Sequence, residues 1–170
     1  MNQEMNNPNG ANYSIKDFLP LIIIFVCIIA LTLLKQWLFG WSIEGAMLDF
    51  MGIFFLVFGT FKLLNLTDFA NAYAEYDIVA KRSMLYGYIY PFIELALGLM
   101  YLTRFHVTVA NWVTLALMII GSIGVAYELS QNKQIVCACL GTVFKIPMTY
   151  VTLAEDVIMG LMAAYMLFAL

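Results

Sequence analysis

The most informative shortage in this sequence is charge. Only 11% of the 170 residues are Asp, Glu, Lys or Arg, whereas 64% are hydrophobic and the mean hydropathy is +0.89. Soluble domains carry about a quarter charged residues, and a small domain leaves much of its surface in water. A soluble fold of this composition would expose too much apolar surface. We therefore expect lipid to be the solvent, which excludes an ordinary soluble enzyme.

Other shortages exclude particular chemistries. With a single histidine, His106, the chain can build neither a bis-histidine haem site nor a histidine-rich zinc site. Its three cysteines, Cys27, Cys137 and Cys139, are too few for a disulfide framework. No glycine-rich phosphate loop is present, so an ATP-driven pump is excluded. The formal net charge of −3 provides no basic surface for nucleic acid.

Long uncharged runs predict an all-α integral membrane protein with five spans, since a membrane helix needs about 20 residues. The spans are predicted at about residues 18–39, 46–66, 83–103, 107–127 and 150–170. No basic leader with a cleavage site precedes the first, so it is expected to be retained. Residues 1–17, where Asn is frequent, are expected to form a disordered tail. A short amphipathic helix is predicted within residues 65–81.

The distribution of basic residues predicts the orientation. With five spans, six Lys and Arg residues fall on the side of the N-terminus and two, Lys35 and Arg104, fall on the other side. Because loops rich in Lys and Arg stay in the cytoplasm, the N-terminus is expected to be cytoplasmic. The loop that carries Cys137 and Cys139 is expected on the same side.

Cys137 and Cys139, one residue apart in the last loop, are candidates for chemistry. Two thiolates at this spacing can bind a soft metal ion such as Cu(I), or form a strained disulfide that exchanges with other thiols. Nearby Lys133 and Lys145 favour the thiolate forms. Two small, unreactive cysteines at the membrane surface are the alternative, which stays open. Cys27 lies in the middle of an apolar run and is expected only to pack.

Four charged residues are predicted to lie within the membrane. Glu94 falls almost midway along its span, where a carboxylate must be paired, neutral or hydrated. Only 12 uncharged residues, about 18 Å of helix, separate Asp49 from Lys62, so at least one of these two charges must lie below the interface. Lys62 is the natural partner of Glu94. Glu155 and Asp156, followed by 14 uncharged residues, are drawn into the last span and could join the pair or act as weak metal ligands. The pair of Lys62 and Glu94 either fixes helix register or belongs to a proton relay.

Three short motifs, taken in order, resemble the MauE branch of the DoxX-like membrane proteins. Residues 58–63, FGTFKL, resemble the start of the DoxX-like core, and residues 90–98, YPFIELALG, resemble its proline–glutamate helix. Residues 137–141, CACLG, followed by the acidic pair at 155–156, resemble the cysteine motif and last helix of MauE. The resemblance covers about residues 46–170. It implies a four-helix membrane bundle, to which residues 18–39 add one N-terminal span.

The resemblance also implies a redox-associated protein of a bacterial inner membrane. MauE proteins are tied to maturation of the disulfide-rich small subunit of methylamine dehydrogenase, alongside a thioredoxin-like partner. On this basis we expect Cys137 and Cys139 to serve a thiol–disulfide relay, with Lys62 and Glu94 organising the bundle or moving protons. A complete quinone-coupled disulfide oxidase would need two cysteine pairs, so neither independent catalysis nor a bound cofactor is expected.

Two other functions stay open from the sequence alone. Some relatives occur with heavy-metal-binding domains, and the same cysteine pair could serve transport or delivery of copper or mercury, with Glu155 and Asp156 as weak ligands. In the other alternative, the protein is a structural membrane subunit in which neither feature reacts. Besides lipid, the expected partner is a thioredoxin-like protein. No nucleic acid is expected, and a homo-oligomer is left open.

Overall fold

The computed structural model describes residues 15–131, 136–137, 146–147 and 150–168, with side chains for residues 18–131 and 153–168. Its helices are α1 Ile15–Phe39, α2 Ile43–Leu64, α3 Leu66–Tyr73, α4 Met84–Thr103, α5 Val107–Ser130 and α6 Tyr150–Phe168. Two short strands, β1 Val136–Cys137 and β2 Ile146–Pro147, pair antiparallel with Cys137 opposite Ile146. The predicted all-α class is confirmed. Residues 1–14 of the predicted tail lie outside the described residues.

Within the described ranges, four helices are long and apolar enough to cross a membrane. They are Phe18–Phe39 of α1, Ile43–Leu64, Met84–Thr103 and Val107–Ser130. α6 has 19 residues but is not among them, so the fifth span stays a prediction. Only 17% of the apolar window of α1 is buried, against 50% for α2. α1 therefore packs at the edge of the bundle, chiefly against α2.

α2 and α4 approach closely because glycines face each other between them. A Cβ on Gly98 would lie 3.0 Å from the carbonyl oxygen of Gly52, and one on Gly52 would lie 3.2 Å from the oxygen of Gly98. Farther along, Phe55 stacks on Tyr101 with 6.1 Å between ring centres, and both side chains are fully buried. Hydrophobic contrast does not drive helices together in lipid, so close packing of this kind holds the pair.

α5 and α6 form the second closely packed pair of helices. Ala163 of α6 is fully buried, and a Cβ on Gly160 would lie 3.4 Å from the Cβ of Met118. Small residues therefore bring α6 against α5, in the same way as the glycines do for α2 and α4. The two pairs together enclose the interior of the bundle.

The predicted amphipathic helix is present as α3. Phe69, Ala70 and Tyr73 are buried on one of its faces, and Ala70 packs against Gly87 of α4. The loop after α3 turns sharply at Asp77, whose carboxylate accepts hydrogen bonds from the backbone N–H groups of the residues two and three positions later, at 2.9 and 2.8 Å. α3 and this loop together cover one end of the interior.

Candidate functional site

The structure brings Lys62 and Glu94 together inside the bundle. Lys62 lies near the C-terminal end of α2, Glu94 lies at the middle of α4, and 2.5 Å separates Lys62 Nζ from Glu94 Oε1. The two side chains are 8% and 3% exposed. The ammonium group also lies 4.8 Å from the ring centre of Tyr90 and 5.5 Å from that of Phe69. A carboxylate and two aromatic faces thus replace the water that the cation has lost.

A cavity of about 40 Å³ lies beside this ion pair, and its walls also include Glu155 and Asp156 of α6. That volume has room for roughly three water molecules. Asp156 can lie against α5 because the facing residue is Gly121, where a Cβ would be 3.0 Å from Asp156 Oδ2. The four charged residues singled out in the sequence therefore surround one cavity. Their chemical role stays a prediction.

Tyrosines form the wall of the cavity on the side of α3. Tyr73, Tyr76 and Tyr90 line it, with ring centres 5.4 Å apart for Tyr73 and Tyr76 and 4.6 Å apart for Tyr73 and Tyr90. The Tyr73 hydroxyl donates a 3.0 Å hydrogen bond to Asp77 Oδ2. Burial, and then the neighbouring Tyr90 and Asp77, raise the pKa of Tyr73 well above its usual range. Its phenol is therefore held as a neutral hydrogen-bond donor.

The connection from α5 to α6 carries the cysteine pair. The backbone of Cys137 belongs to β1, which lies against α3, whereas β2 lies against α1. The side chain of Cys137 and the whole of Cys139 lie outside the described residues. The helix that follows this connection, α6, begins at Tyr150 and contributes Glu155 and Asp156 to the cavity wall.

The metal hypothesis gains no support from the described part of the chain. There, no group of three or more His, Cys, Asp or Glu side chains is placed to hold a metal ion. Glu155 and Asp156 lie at the cavity, whereas Cys139 lies outside the described residues. Metal binding by these four residues stays a prediction.

A comparison with known families decides to which group of membrane proteins this bundle belongs. The family model described as methylamine utilisation protein MauE matches residues 36–169. The chain belongs to the MauE family. It is therefore an integral membrane protein involved in methylamine utilisation, and the resemblance in its motifs is confirmed. No curated protein and no solved structure matches the chain.

The range matched by the MauE model contains α2 to α6 and every residue of the cavity wall. It includes only the last four residues of α1, so most of that helix precedes it. The cavity thus belongs to the part of the chain that the family defines. The division into an extra first span and a four-helix domain stays a prediction.

This MauE-family protein has a second buried ion cluster, which the sequence analysis missed. Asp49 is 1% exposed, and its carboxylate accepts hydrogen bonds at 2.7 Å from Lys35 and from Arg104, and at 2.8 Å from Gln36. The cluster joins the end of α1, the start of α2 and the end of α4. The sequence did contain a signal for this cluster. The charge count assigns only Lys35 and Arg104 to the side opposite the N-terminus, and both are partners of Asp49.

A third ion pair corrects one predicted boundary. The fourth span was predicted to end at residue 127, but α5 continues to Ser130 and Glu128 is 1% exposed. Lys81, in the loop after α3, lies with its Nζ 2.5 Å from Glu128 Oε1. The helix can carry this carboxylate into the interior because the loop supplies a cation from outside the helix. Sequence spacing alone gives no sign of a contact across 47 residues.

Proposed function

We propose that this MauE-family protein is a membrane thiol–disulfide relay in which Cys137 and Cys139 exchange electrons with a thioredoxin-like protein. The observation that carries the proposal is the position of β1. This strand contains Cys137 and lies against α3, the helix that contributes Tyr73 to the cavity wall. The backbone of Cys137 thus lies beside a helix that borders the charged cavity.

The exchange proceeds by two displacements at sulfur. A thiolate of the reduced partner attacks one sulfur of the Cys137–Cys139 disulfide, the S–S bond breaks, and the other cysteine leaves as a thiolate that takes up a proton. The partner's second thiolate then attacks the mixed disulfide. The partner ends as a disulfide, and the membrane pair has gained two electrons and two protons. The reduced pair then passes its two electrons to a disulfide of a client protein. The client's S–S bond breaks, and the Cys137–Cys139 disulfide forms again.

In this proposal the pair of Lys62 and Glu94 serves to hold α2 to α4. Removing one partner of a buried ion pair leaves an uncompensated charge, so the pair favours one register of the two helices. The proposed membrane is the bacterial inner membrane, with the cysteine loop in the cytoplasm. The support for this orientation is the count of six basic residues against two.

The relay is tested by trapping its intermediate. The purified protein in detergent is oxidised and mixed with a reduced thioredoxin whose second active-site cysteine has been replaced by serine. This probe cannot complete the exchange, so a mixed disulfide accumulates and is detected on a non-reducing gel. Cys27→Ser, at an exposed position on α1, should trap as well as the unaltered protein. The double variant of Cys137→Ser and Cys139→Ser should trap nothing.

Two results would contradict the relay. One is failure of the oxidised protein to form any mixed disulfide, with both thiols permanently reduced in cells. The other is binding of one Cu(I) per chain that the double serine variant loses while no exchange occurs, which would favour metal delivery. Labelling with a membrane-impermeant maleimide from each side, scored on Cys137 and Cys139 in a Cys27→Ser background, tests the orientation separately. Labelling only from the periplasmic side would reverse it.

A further inference from the structure

We propose that the cavity between α2, α4, α5 and α6 is a proton-binding site, with Glu155 and Asp156 as the carboxyl groups that exchange the protons. This inference goes beyond the thiol relay and does not depend on it. It rests on the charges that share the cavity, on two carboxyl oxygens that lack partners, and on the size of the space.

The charges around the cavity do not balance if every group is ionised. Glu94, Glu155 and Asp156 supply three carboxyl groups, and Lys62 supplies one ammonium group. Lys62 is bonded to Glu94, which leaves the two carboxyls of α6 without a cation of their own in the cavity wall. An uncompensated carboxylate inside a membrane protein is costly. Protons on the α6 carboxyls remove that cost.

Two buried oxygens show where protons and water would bind. Glu94 Oε2 and Glu155 Oε1 have no hydrogen-bond partner among the described atoms, and their residues are 2% and 8% exposed. Both residues line the cavity. A buried acceptor without a donor is unfavourable, whereas a protonated carboxyl or a water molecule in the cavity would supply that donor. The space of about 40 Å³ admits roughly three waters.

The same geometry disfavours a metal ion as the occupant. In the described residues no set of three His, Cys, Asp or Glu side chains has the spacing to hold one. The ammonium group of Lys62 would also repel a second cation. Protons carried by water need no fixed coordination shell, so they fit a wall with one cation and three carboxyls.

The helices around the cavity differ in the titratable groups that they present to it. α2 presents Lys62, and α3 with its loop presents Tyr73 and Tyr76, with Asp77 behind them. α4 presents Tyr90 beside Glu94. The residues that α5 contributes to the wall, Met118, Gly121 and Val125, do not titrate. The Tyr73 hydroxyl donates its hydrogen bond to Asp77 and Lys62 is bonded to Glu94, so the two acids of α6 are the groups left to take up and release protons.

Asp156 is partly exposed, whereas Glu94 and Glu155 are buried. All three line the cavity, so a proton on Asp156 can pass through cavity water to Glu155 and to the pair of Lys62 and Glu94.

Infrared spectroscopy of the whole protein in detergent tests the site, using the carbonyl stretch of protonated carboxyl groups. The unaltered protein at neutral pH should show such a band, and transfer to D2O should shift it, because cavity water exchanges the proton. Glu155→Gln and Asp156→Asn should each remove part of the band, and the double variant should remove most of it. Glu75→Gln changes an exposed carboxyl in the loop after α3 and should leave the band unchanged.

Several outcomes would overturn the proton site. The absence of a protonated-carboxyl band in the unaltered protein would do so, and this result involves no variant that could misfold. A band that both α6 substitutions leave unchanged would also overturn it. Loss of the band when sodium chloride replaces choline chloride at constant pH would show that the cavity takes a metal cation instead. None of these results depends on Cys137 or Cys139, so failure of the proton site is distinct from failure of the relay.

Discussion

The backbone carbonyl of Tyr76 lies directly against Gly124 of α5. A Cβ on Gly124 would be only 2.6 Å from this oxygen, a separation that real Cβ contacts essentially never show. A backbone oxygen cannot rotate away as the end of a side chain can. The bare backbone at Gly124 is therefore what allows the loop after α3 to close over the cavity, where the Tyr76 side chain forms part of the wall.

We predict that Gly124→Ala destabilises the protein. The methyl group would push the loop from α5, and overpacking of this kind typically costs about 1–3 kcal/mol. Gly160→Ala is the matched control, because a Cβ there makes an ordinary 3.4 Å contact and alanine favours a helix by up to about 1 kcal/mol over glycine. Thermal unfolding in detergent should give a lower midpoint for Gly124→Ala only. Equal effects of the two substitutions would contradict the close contact.

The buried pair of Lys62 and Glu94 should show strong coupling in a double-mutant cycle. Lys62→Met and Glu94→Gln should each lower the free energy of unfolding by about 3 kcal/mol, because each leaves one group without its ionic partner. The double substitution removes both charges, and its effect should be clearly smaller than the sum. Denaturant titration of the four proteins in one detergent measures the difference. Additive effects would mean that the 2.5 Å contact contributes no coupling.

Loss of the Asp49 charge should destabilise the protein more than loss of an exposed charge on the same helix. Asp49→Asn weakens the bonds to Lys35 and Arg104 and should cost about 1–3 kcal/mol, since the site is buried and its donors are charged. Glu44→Gln makes a comparable change of charge on the same helix at an exposed position and should change stability by less than about 0.5 kcal/mol. Unfolding midpoints of the two variants in the same detergent decide the point. A Glu44→Gln effect as large as that of Asp49→Asn would argue against a specific cluster.

The raised pKa of Tyr73 predicts a loss of stability in alkali. The folded protein holds the phenolic proton more tightly than the unfolded chain, so the resulting stability is present below the ordinary tyrosine pKa of about 10. It is lost as the pH rises from there towards the folded value. The unaltered protein should therefore lose stability with increasing pH more steeply than Tyr73→Phe. Denaturation midpoints at a series of alkaline pH values measure both slopes, and identical slopes would contradict the prediction.

The sequence by itself determined the all-helical membrane class of the protein and predicted which charged residues are drawn inward. Both follow from local properties, namely the apolar content and the length of each uncharged run. A run too short to cross the bilayer must bring a neighbouring charge inward wherever its helix packs. For this reason Lys62, Glu155 and Asp156 could be named before any contact was known, and Glu94 could be named from its position almost midway along its span.

Only the tertiary structure decided which charges meet and what surrounds them. The partners of Asp49 come from α1 and from the end of α4, and the partner of Glu128 comes from a loop 47 residues away. The tyrosine wall depends on α3 folding back onto α4. These contacts are set by which helix faces pack together, and that depends on close approaches such as Gly52 to Gly98 and Gly124 to Tyr76. Spacing along one helix indicates that a residue is buried, but its partner is fixed by the neighbouring helix.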